Sequence, residues 1–157
     1  GRNINFGIRQ VITLNLSVDS SCEITPKVKT PRTVTYTLAD KSISGELPAN
    51  AQFQYQGNED GTVSTSKGAT FILTGWSNYT ITGISTNIIS PSTSSRLYYS
   101  IEIGNTTHKS GNISSATFSP PLVFDTPLPA NTDSFQVTLN VFSNGKWNVK
   151  SCTITYE

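Results

Sequence analysis

The side chains of this sequence that could do chemistry are few. Its one imidazole is His108, set in Asn105-Thr106-Thr107-His108-Lys109, a polar stretch that reads as a loop. A histidine in such a place is an exposed, silent residue far more often than a general base. No Gly-x-Ser-x-Gly elbow, His-Glu-x-x-His pair or phosphate-cradling glycine loop occurs. Glu59-Asp60 and Asp125 are acidic turn residues. Calcium takes six or more oxygen ligands, no Asp-x-Asp pattern supplies them, and solvated surface is the expectation. The 10 carboxylates are scattered over turns, so the distant carboxylate pair of a glycosidase finds little support. We expect no catalytic residue, no metal site and no cofactor.

Two other residue types carry information. The two cysteines are Cys22 and Cys152. Two ligands cannot close a tetrahedral zinc shell, so the pair reads as a disulfide, with two buried free thiols as the alternative. A cross-link over so long a loop stabilises by up to roughly 5 kcal/mol in the chain-entropy account, and it implies an oxidising compartment. Trp76, Tyr79, Tyr98, Tyr99 and Trp147 offer ring faces on which a pyranose packs, although most aromatics of a small sandwich belong to its core. Tyr98 has the opposite parity to Leu97 and Tyr99, and Trp147 follows Lys146 at a hairpin edge. Tyr98 and Trp147 are therefore the candidate ligand contacts.

The elements that must position these residues are strands. Charged residues make up 13% of the chain, against about 25% in an average domain, and the formal charge is +1. That balance leaves no electrostatic footprint for nucleic acid. No stretch reaches the roughly 18 apolar residues of a membrane-spanning helix, and the chain reads as soluble. Period-2 alternation dominates. It is clear in Val34, Tyr36 and Leu38, in Phe53 and Tyr55, in Phe71 and Leu73, and in Leu97, Tyr99, Ile101 and Ile103. It returns in Phe135, Val137, Leu139 and Val141, and the last run puts Cys152, Ile154 and Tyr156 on one face. Turn signals separate these runs, including the Pro-rich segment 120–129. Asn144-Gly145 is a strong hairpin signal and predicts that 135–142 pairs with 147–156. At the N-terminus Ile4, Phe6, Ile8, Ile12, Leu14, Leu16, Val18, Cys22 and Ile24 share one parity. That run is about three times a typical strand: two strands, or one that projects beyond its own domain.

The two ends carry a resemblance. Ile12-Thr13-Leu14-Asn15-Leu16-Ser17-Val18-Asp19-Ser20-Ser21-Cys22 resembles the opening of bacterial chaperone–usher fimbrial (pilus) subunits. Thr153-Ile154-Thr155-Tyr156-Glu157 is similar to their last strand, and Pro129-Ala130-Asn131-Thr132-Asp133-Ser134 to the loop before the penultimate one. The likeness covers about a third of the chain. It implies an all-β, immunoglobulin-like (pilin-like) sandwich over 11–157, preceded by an N-terminal extension over 1–10. In that family an exposed groove accepts an extension donated by the neighbouring subunit, main-chain hydrogen bonds giving affinity and alternate side chains giving specificity. Ile4, Phe6 and Ile8 would be the donated plugs, with self-pairing of 3–10 as the alternative. Ile154 and Tyr156 would lie on the strand used by the chaperone and in assembly. The implied partners are neighbouring pilus subunits, a periplasmic chaperone, an outer-membrane usher and a host glycan or protein receptor. The implied place is the bacterial surface, reached through the periplasm. A free-standing, secreted carbohydrate- or receptor-binding module is the alternative.

Overall fold

Alternation places every second side chain of a strand on one face, and two half-apolar sheets satisfy each other by packing face to face about 10 Å apart. The computed structural model describes residues 29–124 and 127–157. Within it lie β1 (Arg32–Thr37), β2 (Ser42–Gly45), β3 (Gln52–Gln56), β4 (Thr62–Val63), β5 (Ala69–Thr74) and β6 (Ile81–Ile89). They are followed by β7 (Arg96–Ile103), β8 (Thr106–Ser114), β9 (Leu122–Phe124), β10 (Phe135–Val141) and β11 (Trp147–Tyr156). All belong to one unit, Pro31–Glu157. The boundary expected at residue 10 and the long N-terminal alternation fall outside the described residues.

The first sheet runs β2-β1-β11-β6-β9, with β4 paired to the start of β11, and the second runs β3-β5-β10-β7-β8. Every pairing is antiparallel. The all-β, two-sheet sandwich expected from the alternation is what forms. Its strand order is distinctive. An immunoglobulin sandwich keeps its last two strands side by side in one sheet, whereas here β10 and β11 lie in opposite sheets. The sets 1-11-6-9 and 5-10-7-8 interleave early and late strands, the nesting of a double-sheet jelly roll.

The core follows from parity. Phe135, Val137, Leu139 and Val141 of β10, Phe71 and Leu73 of β5 and Leu97 and Ile101 of β7 face Val34, Ile84, Ile88, Ile154 and Tyr156 across the interior, all buried. On β11 the inward parity changes midway. Trp147 and Val149 point inward, the register against β6 slips between Val149 and Ser151, and Cys152, Ile154 and Tyr156 then take over. A bulge inserts one residue and so exchanges the two faces of a strand.

Two expectations need correction. The Asn144-Gly145 turn does not close a hairpin between β10 and β11. Both edges of β10 are taken by β5 and β7, and the turn carries the chain across the sandwich to the other sheet. Gly145 supplies its positive φ of 111°, so the local turn chemistry is right and its use is different. The segment around His108 is not a loop but the middle of β8, a nine-residue strand held by β7 from Arg96↔Ser114 to Ile103↔Thr106.

Candidate functional site

The positions singled out by sequence separate into interior and surface. Trp147 is fully buried. Its indole N–H donates to Ser95 Oγ at 2.9 Å and its ring lies 5.7 Å from that of Phe118. The expectation of an exposed ligand contact there is overturned, because the bulge after Val149 turns Trp147 inward. Trp76 is also buried, set edge-on to Tyr79 and Tyr156 at 6.4 and 5.3 Å. Tyr99 packs edge-on against Phe124 at 5.1 Å. These rings are core.

Cys152 is a free, buried thiol, and burial pushes its pKa up. It sits on β11 between Tyr36 of β1 and Thr86 of β6. A disulfide brings the two Cβ atoms to about 3.8 Å, and a partner would have to enter this enclosed interior. Cys22, the other half of the expected disulfide, lies outside the described residues. The candidate plugs Ile4, Phe6 and Ile8 lie outside them as well.

Ile154 and Tyr156, the candidate assembly strand, are fully buried. Their strand is internal: Ile154 pairs with Val34 of β1 and Ile84 of β6, and Tyr156 with Arg32 and Ile81. The Tyr156 hydroxyl donates to the Glu46 carbonyl, and the Arg32 guanidinium lies 4.9 Å from its ring centre. Burial raises the Tyr156 pKa, with Arg32 opposing. The chain end is further tied by Thr80 and Glu157, which exchange backbone hydrogen bonds at 3.0 Å.

Acidic turn residues do local structural work. Asp60 accepts the Thr62 backbone N–H at 2.9 Å, which holds its carboxyl below the usual range. Glu59 faces Lys41 at 3.8 Å, and Asp125 lies outside the described residues. No group of three or more His, Cys, Asp and Glu converges among the described residues. His108 lies half-buried on β8, its Nε2 without a hydrogen-bond partner. A cleft of about 280 Å³ opens beside Tyr36, Leu38, Lys41, Tyr55 and Glu59. There the Tyr55 hydroxyl donates to the Asn58 carbonyl at 2.8 Å. Burial first, then the negative charge of Asp60, pushes its pKa up to about 12.

Tyr98 keeps the outward position its parity predicts. It is half-buried on β7, cross-strand from Asn112 of β8 and Asn140 of β10. Sequence reasoning missed its companion. Phe142, 63% exposed, lies with its ring 5.2 Å from that of Tyr98, tilted by 54°. The missed signal was parity: Gln136, Thr138, Asn140 and Phe142 alternate with the buried residues of β10. Arg96 Nη1 donates to Asn112 Oδ1 at 2.8 Å, closing a row of aromatic, amide and guanidinium groups on the outer face of the second sheet. No family model and no curated protein sequence matches the chain.

Proposed function

We propose that this chain is a non-catalytic, extracellular binding module, a closed sandwich that presents the outer face of its second sheet to a host glycan or protein receptor. The observation that carries the reading is β11, the last strand, which already has a neighbour along each edge. A module built this way completes its core with its own strands and leaves its sheet faces to partners. Sparse charge and abundant Ser, Thr and Asn suit an outer surface. The test is saturable binding of the labelled full chain to cell or mucin surfaces. Its absence on every surface tried overturns the reading.

A second reading is a fimbrial subunit assembled by donor-strand exchange, served by a periplasmic chaperone and an outer-membrane usher. Its support is the likeness at the two chain ends, the alternation of Ile4, Phe6 and Ile8, and a last pair of strands placed in opposite sheets rather than joined as a hairpin. Heat-resistant oligomers of the purified chain that vanish in Ile4→Asp/Phe6→Asp favour it. A chain that stays monomeric at high concentration, with or without those substitutions, counts against it.

A further inference from the structure

The outer face of the second sheet has a chemistry more specific than its exposure. Phe142 is the most exposed large hydrophobic residue among those described, and nothing in the fold requires a phenylalanine there. Its one ring neighbour is Tyr98, so two aromatic faces meet at the surface instead of inside. Each side of Tyr98 carries an amide, Asn112 on one neighbouring strand and Asn140 on the other. Strands lie about 4.8 Å apart, so the two amide positions stand roughly 10 Å apart across the tyrosine, enough to flank one sugar ring with its exocyclic groups.

The row does not end there. Asn140 also lines a shallow depression of about 460 Å³ with Gln56, Lys67, Gly68 and Thr70. A Cβ on Gly68 would sit 2.5 Å from Asn140 Oδ1, so glycine at that position leaves room for the amide to lie over the sheet. Of the two flanking positions paired across β7 and β10, Thr138 is half-buried, and Ser100 is buried with its hydroxyl donating to Glu102. Charge is sparse: Arg96 is engaged by Asn112, Glu102, further along the same face of β7, accepts from the Ser100 hydroxyl at 3.3 Å, and Lys67 stands at the far rim. Aromatic faces, side-chain amides and hydroxyls match a ring that has one apolar C–H face and a rim of hydroxyl groups. They match neither a polyanion, which needs several cations, nor an apolar helix, which needs a greasy groove.

We propose that this face binds an oligosaccharide. One pyranose stacks on Tyr98 and Phe142, its hydroxyls are held by Asn112, Asn140 and Arg96, and the next residue extends into the depression beside Gly68. This assignment rests on the binding-module reading and supplies its ligand class. Few residues carry most of the affinity of such sites, aromatics foremost.

The experiment is titration of the full chain with defined neutral oligosaccharides and their sialylated counterparts, followed by calorimetry or tryptophan-independent NMR shifts. Tyr98→Ala and Phe142→Ala are each expected to weaken binding at least tenfold, while Val123→Ala, exposed on the first sheet, leaves it unchanged. Phe142→Ala removes a surface ring, so its thermal melt should match that of the parent and keep the comparison interpretable. Sialylated ligands binding alone would move Arg96 to the centre of the same site, and Arg96→Gln should then remove them. The proposal is overturned if no glycan binds at millimolar concentration, or if binding survives both aromatic substitutions. Surface binding that persists after enzymatic deglycosylation would also overturn it, while leaving the wider binding-module reading standing.

Discussion

Replacing Trp147 with alanine separates a core role from a ligand-contact role. The side chain is fully buried, and truncating such a residue costs about 3–5 kcal/mol through lost transfer energy and the cavity left behind. The indole N–H bond to Ser95 Oγ at 2.9 Å contributes about 1 kcal/mol of net stability within that figure. Ser95 is itself buried, and the loss leaves its oxygen short of a donor. Small domains are stable by only about 5–15 kcal/mol. Trp147→Ala therefore removes about a fifth or more of the total and lowers a urea midpoint by about 2 M for a typical slope. Trp147→Phe keeps a ring against Phe118 and loses the hydrogen bond and some volume, for about 1–2 kcal/mol. Equilibrium urea unfolding followed by circular dichroism measures both. An exposed ligand-contact tryptophan would change stability by no more than about 0.5 kcal/mol. A cost below about 1 kcal/mol for Trp147→Ala refutes the inward placement and the bulge that produces it.

Other consequences are equally measurable. Cys152 is buried with its thiol pKa pushed up, so peptide mapping should find it unalkylated in native protein at pH 8 and fully alkylated in guanidinium; rapid native labelling contradicts the burial. Tyr55 has a folded-state pKa raised to about 12 from an ordinary value of about 10. Its contribution to stability is thus complete below pH 10 and is lost as pH rises from 10 to 12, and Tyr55→Phe should flatten the alkaline stability curve in that window. An unchanged curve argues against the buried phenol. Gly61 adopts φ 84°, its amide meets the Asn58 carbonyl and its carbonyl accepts from Val149. Gly61→Ala would press its methyl group into the Val149 carbonyl, and a loss of about 1–3 kcal/mol is expected in thermal or urea unfolding; a neutral result would mean that the turn does not dock on β11.

Much of this fold was legible because burial leaves a period-2 imprint. Strands β1, β3, β5 and β10 each bury one parity against the opposite sheet, β7 does so for its apolar residues, β11 does so in two halves of opposite parity, and alternation located all of them. Strand β8 left no such imprint. It is the end strand of the second sheet among those described, and Thr-Thr-His-Lys-Ser-Gly-Asn-Ile-Ser has too few apolar side chains for periodicity to register. It is a strand because β7 supplies its hydrogen bonds. The hairpin misreading has a different origin. Asn-Gly fixes a reversal of direction, but which strand lies alongside is decided by the whole sandwich, where β5 and β7 already occupy both edges of β10. Trp147 was expected at the surface because it follows Lys146 at a supposed hairpin edge; without that hairpin, and with a bulged residue three positions later exchanging the faces, it shares the interior with Cys152, Ile154 and Tyr156. For the surface site, Tyr98 could be read from parity alone. Phe142 was obscure because it follows the regular run of β10 and gains meaning only from its neighbour across the sheet.

Whether β11 is an internal strand is read out by amide hydrogen exchange over residues 151–156 in the unassembled full-length chain. With β1 and β6 on either side, consecutive backbone amides of β11 donate alternately to one neighbour and the other. All of them should be protected to nearly the global unfolding free energy, as expected of a core strand. Fast exchange at every second position, the mark of a strand with one open edge, would contradict the closed sandwich and restore an unfilled groove beside the last strand.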